Sequence, residues 1–416
     1  MTQKGTTHRR LLSILAFLAL TAVVSFAAVT TSAADTPHIV VIGEVQGSAA
    51  TVTKLLTHLG LIDGQGHWTG GDTVLVQTGD LMDGGEHVST VLDLFMRLQE
   101  EAPAAGGRVI VLLGNHEAMN ILGELRDVNY LAYHSFAGPD SEARQRQAFD
   151  GYVAWRQERA GSVGSGEFVF GEDFEAEWLA AHPAGWIEYV ESMGARGEYG
   201  KWLRSLPVAV QFGEVVYIHA GISPKMKGMD VEAINRRTTE EIVAFDQDRA
   251  SMAKDGLCLP TSSAREMVGV IKEEITYVNS LDASNRTPGN PRVARLLELQ
   301  DLTKWGSWSL LTDQGPLWFR GPSKWDETNR GAEMAEILDA AGCRRMVTGR
   351  SDGKEHLIRS RFDDRVLLTS VDLSDDPWAG GGEPAALDIE NGVYTVVTLK
   401  GREVLIGNPP DGNVQR

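Results

Sequence analysis

From residue 38 onward, short runs rich in β-branched residues alternate with stretches of helical periodicity. The runs are His38–Gly43, Thr73–Thr78, Arg108–Leu113, Val208–His219, Arg345–Thr348, Val366–Val371 and Val393–Leu399. Between the first two, Val52, Leu55, Leu56 and Leu59 recur at helical spacing within Ala49–Leu59, and Ser48 is placed to cap that helix. Glu86–Glu101 repeats the pattern with Val88, Val91, Leu92, Phe95 and Leu98. These stripes are core faces. The alternation predicts an α/β fold with helices packed on the faces of a sheet.

Two stretches interrupt the rhythm. Residues 125 to 205 are charged and helical in pattern, carry Trp155, Trp178, Trp186 and Trp202, and read as a helical cap inserted over one end of the sheet. Residues 236 to 315 are polar, contain the turn-forming cluster Thr287-Pro288-Gly289-Asn290, and predict helices mixed with a long loop. Neither insert is set off by a linker, so residues 35 to 408 are expected as one domain, followed by a short tail, 409 to 416.

The first 34 residues are excluded from this fold. Lys4, Arg9 and Arg10 precede an apolar run from Leu11 to Val29, and Thr31, Ser32, Ala33 and Ala34 follow it. That is the pattern of a signal peptide. The run is also long enough to serve as an uncleaved signal anchor, but the small-residue tail and the lack of a basic flank favour cleavage. Either reading predicts export, to the periplasm, the medium or a secretory compartment, with membrane contact only through an uncleaved anchor.

Charge narrows the partners. Lys and Arg number 39 against 57 Asp and Glu, a net charge of −18, which argues against a nucleic-acid backbone or an anionic membrane surface as the main partner. An anionic substrate would need a local positive feature, such as a metal ion. The two cysteines, Cys258 and Cys343, exclude a disulfide-rich scaffold and leave a single bridge open.

Candidate chemistry sits directly after the apolar runs, where an open α/β sheet places its ligand crevice. One strand end reads Gly43-Glu44-Val45-Gln46-Gly47, the next Gly79-Asp80-Leu81-Met82-Asp83-Gly84-Gly85, the third Gly114-Asn115-His116-Glu117. Later ends read His219-Ala220-Gly221 and Thr348-Gly349-Arg350-Ser351. A lone Asp or His after a strand is usually a turn residue or cap. Several in order, each flanked by glycine, are a strong signal.

Their order and wording resemble the calcineurin-like metallophosphoesterases, in particular the phosphoprotein phosphatase branch with its GDxHG, GDxxDRG, GNHE, HGG and GHT motifs. Leu113–Glu117, Ile218–Pro224 and the Gly315-Pro316-Leu317-Trp318-Phe319-Arg320-Gly321 segment look most like the Shewanella-like subgroup. The resemblance runs from about residue 38 to about 375. It implies a central β sandwich flanked by helices, and two metal ions that activate a water for in-line attack on a phosphoric monoester. On that reading Asp80 bridges the ions, and Asn115 and His219 hold the second. His116 with Asp83 protonates the leaving group, and Arg320 binds the phosphate.

Four positions depart from the family pattern. Glu44 stands in place of Asp and Gln46 in place of His, both ligands of the first ion; Gln46 is the poorer donor. Arg350 replaces a histidine ligand of the second ion and brings a positive charge that no metal site welcomes. Gly84 replaces the arginine of GDxxDRG and removes a phosphate contact. The expectation is therefore an altered site: one or two divalent ions (manganese, iron or zinc), or none, with Arg350 beside Asp80 and Glu44 as an anion-binding group.

Two functions follow. One is an impaired or mononuclear phosphatase acting on a phosphorylated small molecule or phosphoprotein; the other is an inactive pseudophosphatase that binds a phosphorylated or anionic partner. His87, His134 and His356 are the remaining histidines near motifs, and each reads better as a solvated side chain than as a ligand.

Overall fold

The computed structural model describes residues 37–164, 168–299, 305–350, 357–369, 373 and 383–407. The expected N-terminal signal segment, Ser351, His356 and the expected C-terminal tail lie outside the described residues. No helix among the described residues is long and apolar enough to cross a membrane.

Strand β1 (Ile39–Ile42) is buried at every position, as a strand covered on both faces must be. Helix α1 (Ala49–His58), β2 (Val74–Gln77), α2 (Val88–Glu101) and β3 (Arg108–Val111) follow it, and β1, β2 and β3 pair in parallel. Ser48 stands at the N-cap of α1 but its side chain makes no cap bond. The second helix begins two residues later than its apolar pattern suggested, because Gly84 and Gly85 are used in a turn bonded to the Gln46 loop.

Helices α3 (Asn115–Ile121), α4 (Tyr130–His134), α5 (Ser141–Ser162), α6 (Phe174–Ala181), α7 (Trp186–Met193) and α8 (Glu198–Leu203) come next. The run Val208–His219 is not one strand but a hairpin of β4 (Ala209–Phe212) and β5 (Val215–Ile218), reversed at Gly213, whose φ is +56°. Helices α9 (Val231–Lys254), α10 (Ala264–Ser280) and α11 (Pro291–Leu299) occupy most of the second polar stretch. Short α12 (Gly321–Lys324) and α13 (Glu327–Ala340) lead into β6 (Arg345–Thr348), β7 (Arg359–Arg361), β8 (Val366–Leu368), β9 (Ala385–Glu390), β10 (Val393–Thr398) and β11 (Gly401–Ile406).

The strands form two sheets, β11-β10-β9-β1-β2-β3 and β4-β5-β6-β8-β7. One continuous core joins them, with Val41, Leu75 and Val111 from the first sheet and Val216, Met346 and Leu367 from the second in the same cluster. This is the central β sandwich, in a mixed α/β setting. A second, smaller core lies among the helices, where Trp155 of α5 packs with Phe245 and Met252 of α9, Met267 and Ile271 of α10, and Leu299 of α11. Helix α5 thus shares a core with the helices of the later stretch. Cys258 belongs to the small core and Cys343 to the large one; both are free, so no disulfide joins them.

Candidate functional site

The C-terminal ends of β1, β2, β3, β5 and β6 deliver the polar motifs to one place. Gln46, Asp80 and Asp83 all have left-handed backbones, with φ of +47°, +59° and +66°, the kind of strain that a surrounding hydrogen-bond network must hold. Glu117 provides much of that network. Its fully buried carboxylate accepts the backbone N–H groups of Asp80 and Gly114 at 2.8 Å on one oxygen, and those of Leu81 and Met82 at 2.8 and 3.2 Å on the other. Gly79 is required for the close approach of these loops: φ is +93°, and a Cβ there would lie 2.7 Å from Gly114 Cα.

Asp80 is 1% exposed. Its Oδ1 accepts the His116 backbone N–H at 3.0 Å. Its buried Oδ2 has no hydrogen bond of acceptable geometry, although His219 Nε2 stands 3.3 Å away and His116 Nε2 3.8 Å away. Burial opposes the Asp80 charge, but His219, His116 and Arg350 hold its pKa well below the usual carboxylate range. Glu44, also buried, is pushed up to about 7 by desolvation and by the Asp80 charge.

One ligand atom each from Glu44, Asp80 and His219 lie within 4.8 Å of one another. The Nδ1–H of His219 is directed at Thr78 O at 2.8 Å, which leaves Nε2 facing the carboxylates. An orphaned carboxylate oxygen, a second carboxylate and an oriented imidazole fit one divalent ion.

Of the donors expected around a second ion, Asn115 does not present a free one. Asn115 Oδ1 accepts from Arg350 Nη1 and lies 3.0 Å from His219 Nε2. Arg350 Nη1 is also 3.7 Å from Asp80 Oδ2, so the guanidinium stands beside the expected bridging carboxylate. The arginine is 9% exposed, its Cζ lies 5.0 Å from the centre of the Trp318 ring, and its buried Nε has no hydrogen-bond partner among the described residues. Gln46 turns its amide nitrogen toward Glu44 Oε2 at 3.1 Å. Gly84 has a φ of +67°, and a Cβ there would meet Gln46 Oε1 at 3.0 Å, so this backbone disfavours the arginine of the family motif.

His116 Nδ1 pairs with Asp83 Oδ2 at 2.7 Å. Desolvation opposes a proton on this ring, but the charges of Asp80 and Asp83 outweigh it and raise its pKa to about 10. Arg320 is half-buried at the N-cap of α12. The chain just before it is tied to the His219 turn, with Ala220 N–H donating to Pro316 O at 3.1 Å. His87 is exposed at the N-cap of α2, and His134 is exposed with its ring against Tyr130.

Sequence reasoning passed over Asn120, Tyr189 and the scaffolding role of Glu117. Asn120 was within reach, since it lies four residues after His116 on a helix and so shares its face. Nothing local to Tyr189 marks it.

A two-sheet α/β fold that gathers Glu, Asp, Asn and His at its strand ends defines the metallophosphoesterase class. Residues 37–257, just over half of the chain, match the family described as calcineurin-like phosphoesterase, and the chain belongs to that family. It is similar to Shewanella-like protein phosphatase 1 of Plasmodium berghei, at 23% identity over 264 residues, covering 61% of each chain. It is also similar to Shewanella-like protein phosphatase 2 of Arabidopsis thaliana, at 38% identity over 99 residues, covering 24% of this chain and 25% of that one. The chain thus spans less than two thirds of the length of these relatives. A solved cold-active protein-tyrosine phosphatase from a psychrophilic Shewanella shares the fold, with a TM-score of 0.53 at 22% identity over 89% of this chain and 81% of its own.

Proposed function

We propose that this protein is an exported phosphoric monoester hydrolase that works with one divalent ion, Arg350 having taken the place of a second. The observation that carries this reading is the hydrogen bond from Arg350 to Asn115 Oδ1, the atom a second ion would need. Glu44, Asp80 and His219 would hold the remaining ion, and carboxylate and imidazole donors suit manganese, iron or zinc. When bound, that ion supplies Lewis-acid charge to the nucleophile and the phosphoryl group.

The protein's own groups do the rest. Arg350 supplies positive charge to the phosphoryl group, and Trp318 backs the guanidinium so that it need not be ordered on binding. Asp83 orients the His116 ring through Nδ1, which leaves Nε2 to give its proton to the departing oxygen. Arg320, following the segment tied to the His219 turn, is a second phosphate-binding group. The relatives' names support a phosphorylated protein as substrate; a phosphorylated small molecule fits the same chemistry.

The alternative is a metal-free pseudophosphatase that binds a phosphorylated partner. It is favoured by Gln46, which stands where the family has a histidine ligand and whose amide nitrogen donates to Glu44 Oε2 instead. Metal analysis of the purified protein combined with turnover of an alkyl phosphate, whose leaving group needs a proton, separates the two. One ion per chain, with turnover lost in Asp80→Asn and His116→Ala, supports the mononuclear hydrolase. No ion, no turnover and chelator-resistant phosphate binding lost in Arg350→Ala supports the alternative. Two tightly held ions would sink both.

A further inference from the structure

The Asp83–His116 pair is held from behind by a chain of buried hydrogen bonds that begins in the inserted helices. Asn120 donates its Nδ2 hydrogens to Asp83 Oδ1 at 3.1 Å, to Asp83 Oδ2 at 3.3 Å and to the His116 carbonyl at 2.9 Å. Its Oδ1 accepts the Tyr189 hydroxyl at 2.7 Å. Asp83, Asn120 and Tyr189 are 1%, 3% and 0% exposed. Tyr189 belongs to α7, and Tyr133 and Phe136 meet its ring edge-on at 5.2 and 4.9 Å.

An amide has two faces of opposite character. If Asn120 turned over, its oxygen would face the Asp83 carboxylate and its N–H groups would face the Tyr189 hydroxyl. The Asp83 carboxylate and the His116 carbonyl can only accept, so they select the orientation in which the amide N–H groups face them, and the Tyr189 O–H, donating to Oδ1, anchors the amide there. That orientation spares the carboxylate an unpaired buried oxygen, which costs more than the bond itself gains. It also fixes which way Asp83, on its strained left-handed backbone, presents Oδ2 to His116.

We propose that Tyr189 is a positioning residue: acting through Asn120, it sets the orientation of Asp83 and hence of the His116 imidazole. The catalytic consequence rests on the reading of His116 as proton donor given under Proposed function; the geometric one does not.

Tyr189→Phe tests it, because the ring and its packing remain and only the hydroxyl is lost. With selective 15N-histidine labelling of the zinc-equilibrated protein, the His116 Nδ1–H proton is identified as the downfield resonance missing from His116→Ala. In Tyr189→Phe this resonance shifts upfield and exchanges faster with solvent; in Asn120→Ala it does so further, and adding Tyr189→Phe to Asn120→Ala changes nothing more. A resonance that stays in place in Tyr189→Phe overturns the proposal.

Turnover gives the second readout. Proton donation matters for an alkyl phosphate and little for a nitrophenyl phosphate, whose leaving group needs no proton. Tyr189→Phe lowers kcat on the alkyl substrate by roughly tenfold or more, with KM within about twofold, and slows the nitrophenyl substrate far less. Equal loss on both would mean a merely structural role and overturns the proposal. If His116→Ala itself leaves the ratio between the two substrates unchanged, the proton-donor reading has failed, and the resonance still decides whether Tyr189 positions the ring.

Discussion

Arg350 reaches across the site to donate to the Asn115 side-chain oxygen, a contact between residues 235 positions apart in the chain. The same guanidinium stands 3.7 Å from Asp80 Oδ2 and over the Trp318 ring. A guanidinium thus sits beside the carboxylate expected to bridge two ions.

Replacing that charge tests its role. Arg350→His is expected to release Asn115 Oδ1 and add an imidazole donor, which raises bound metal from one ion per chain toward two. Elemental mass spectrometry after exposure to manganese, iron or zinc reads the change. An unchanged stoichiometry would show that Glu44 and Gln46, rather than Arg350, limit the site.

The ion itself is expected to stabilise the fold. Because Glu44, Asp80 and His219 come from three separate strand ends, an ion that joins them binds the native state far better than the unfolded chain. Manganese at a hundredfold excess over its Kd should add about 2.7 kcal/mol. Thermal melts would show an upward shift in the wild type, its reversal by chelator, and none in Asp80→Asn.

Glu117 is expected to behave as a structural anion. It accepts four backbone N–H groups from the Asp80 loop and Gly114 while fully buried. Glu117→Gln turns an amide NH2 toward some of those donors and leaves them unsatisfied. The expected loss is about 3 kcal/mol of stability, measured by urea denaturation, together with weakened metal binding as Asp80 loses its support. Stability within about 0.5 kcal/mol of wild type would remove the scaffolding role.

A pH effect is expected far from the site. His38 on the β1 side and Asp388 in β9 pair at 2.6 Å, and this bond raises the histidine pKa. Burial opposes the Asp388 charge, but His38 and Arg402 hold its pKa below the ordinary value. A raised histidine stabilises fully below its unfolded pKa of 6.5, and the contribution fades as pH rises through the folded value. A depressed aspartate stabilises above 3.8 and loses its contribution as pH falls through its folded value. Stability from this pair is therefore greatest between the two, and His38→Gln should flatten the decline on the alkaline side in denaturation measured as a function of pH.

Much of the site was legible because its signals are local. Glu44, Asp80, Asn115, His116 and His219 lie in four motifs that each follow an apolar run and contain a glycine, and the structure brings these four strand ends to one place. The Gly84 departure also has a local reason, a left-handed backbone that an arginine would adopt at a cost. Other features were lost to the same local view. The reversal at Gly213 was hidden in one continuous apolar stretch, and β7, β9 and β11 carry too little pattern to stand out.

The sequence by itself determined the residue types at the strand ends, and with them the chemistry the site can hold: carboxylates, an amide, two imidazoles, and an arginine where a ligand histidine was expected. It also determined the layered α/β fold, since hydrophobic periodicity is written along the chain. Only the tertiary structure decided that Asn115 is engaged by Arg350, that Trp318 backs that arginine, and that Tyr189 donates to Asn120 from 69 positions away. The physical reason is that these are contacts between single side chains on separate elements. Their energies depend on distance and orientation in a dry interior, and neither is encoded in the spacing of residues along the chain.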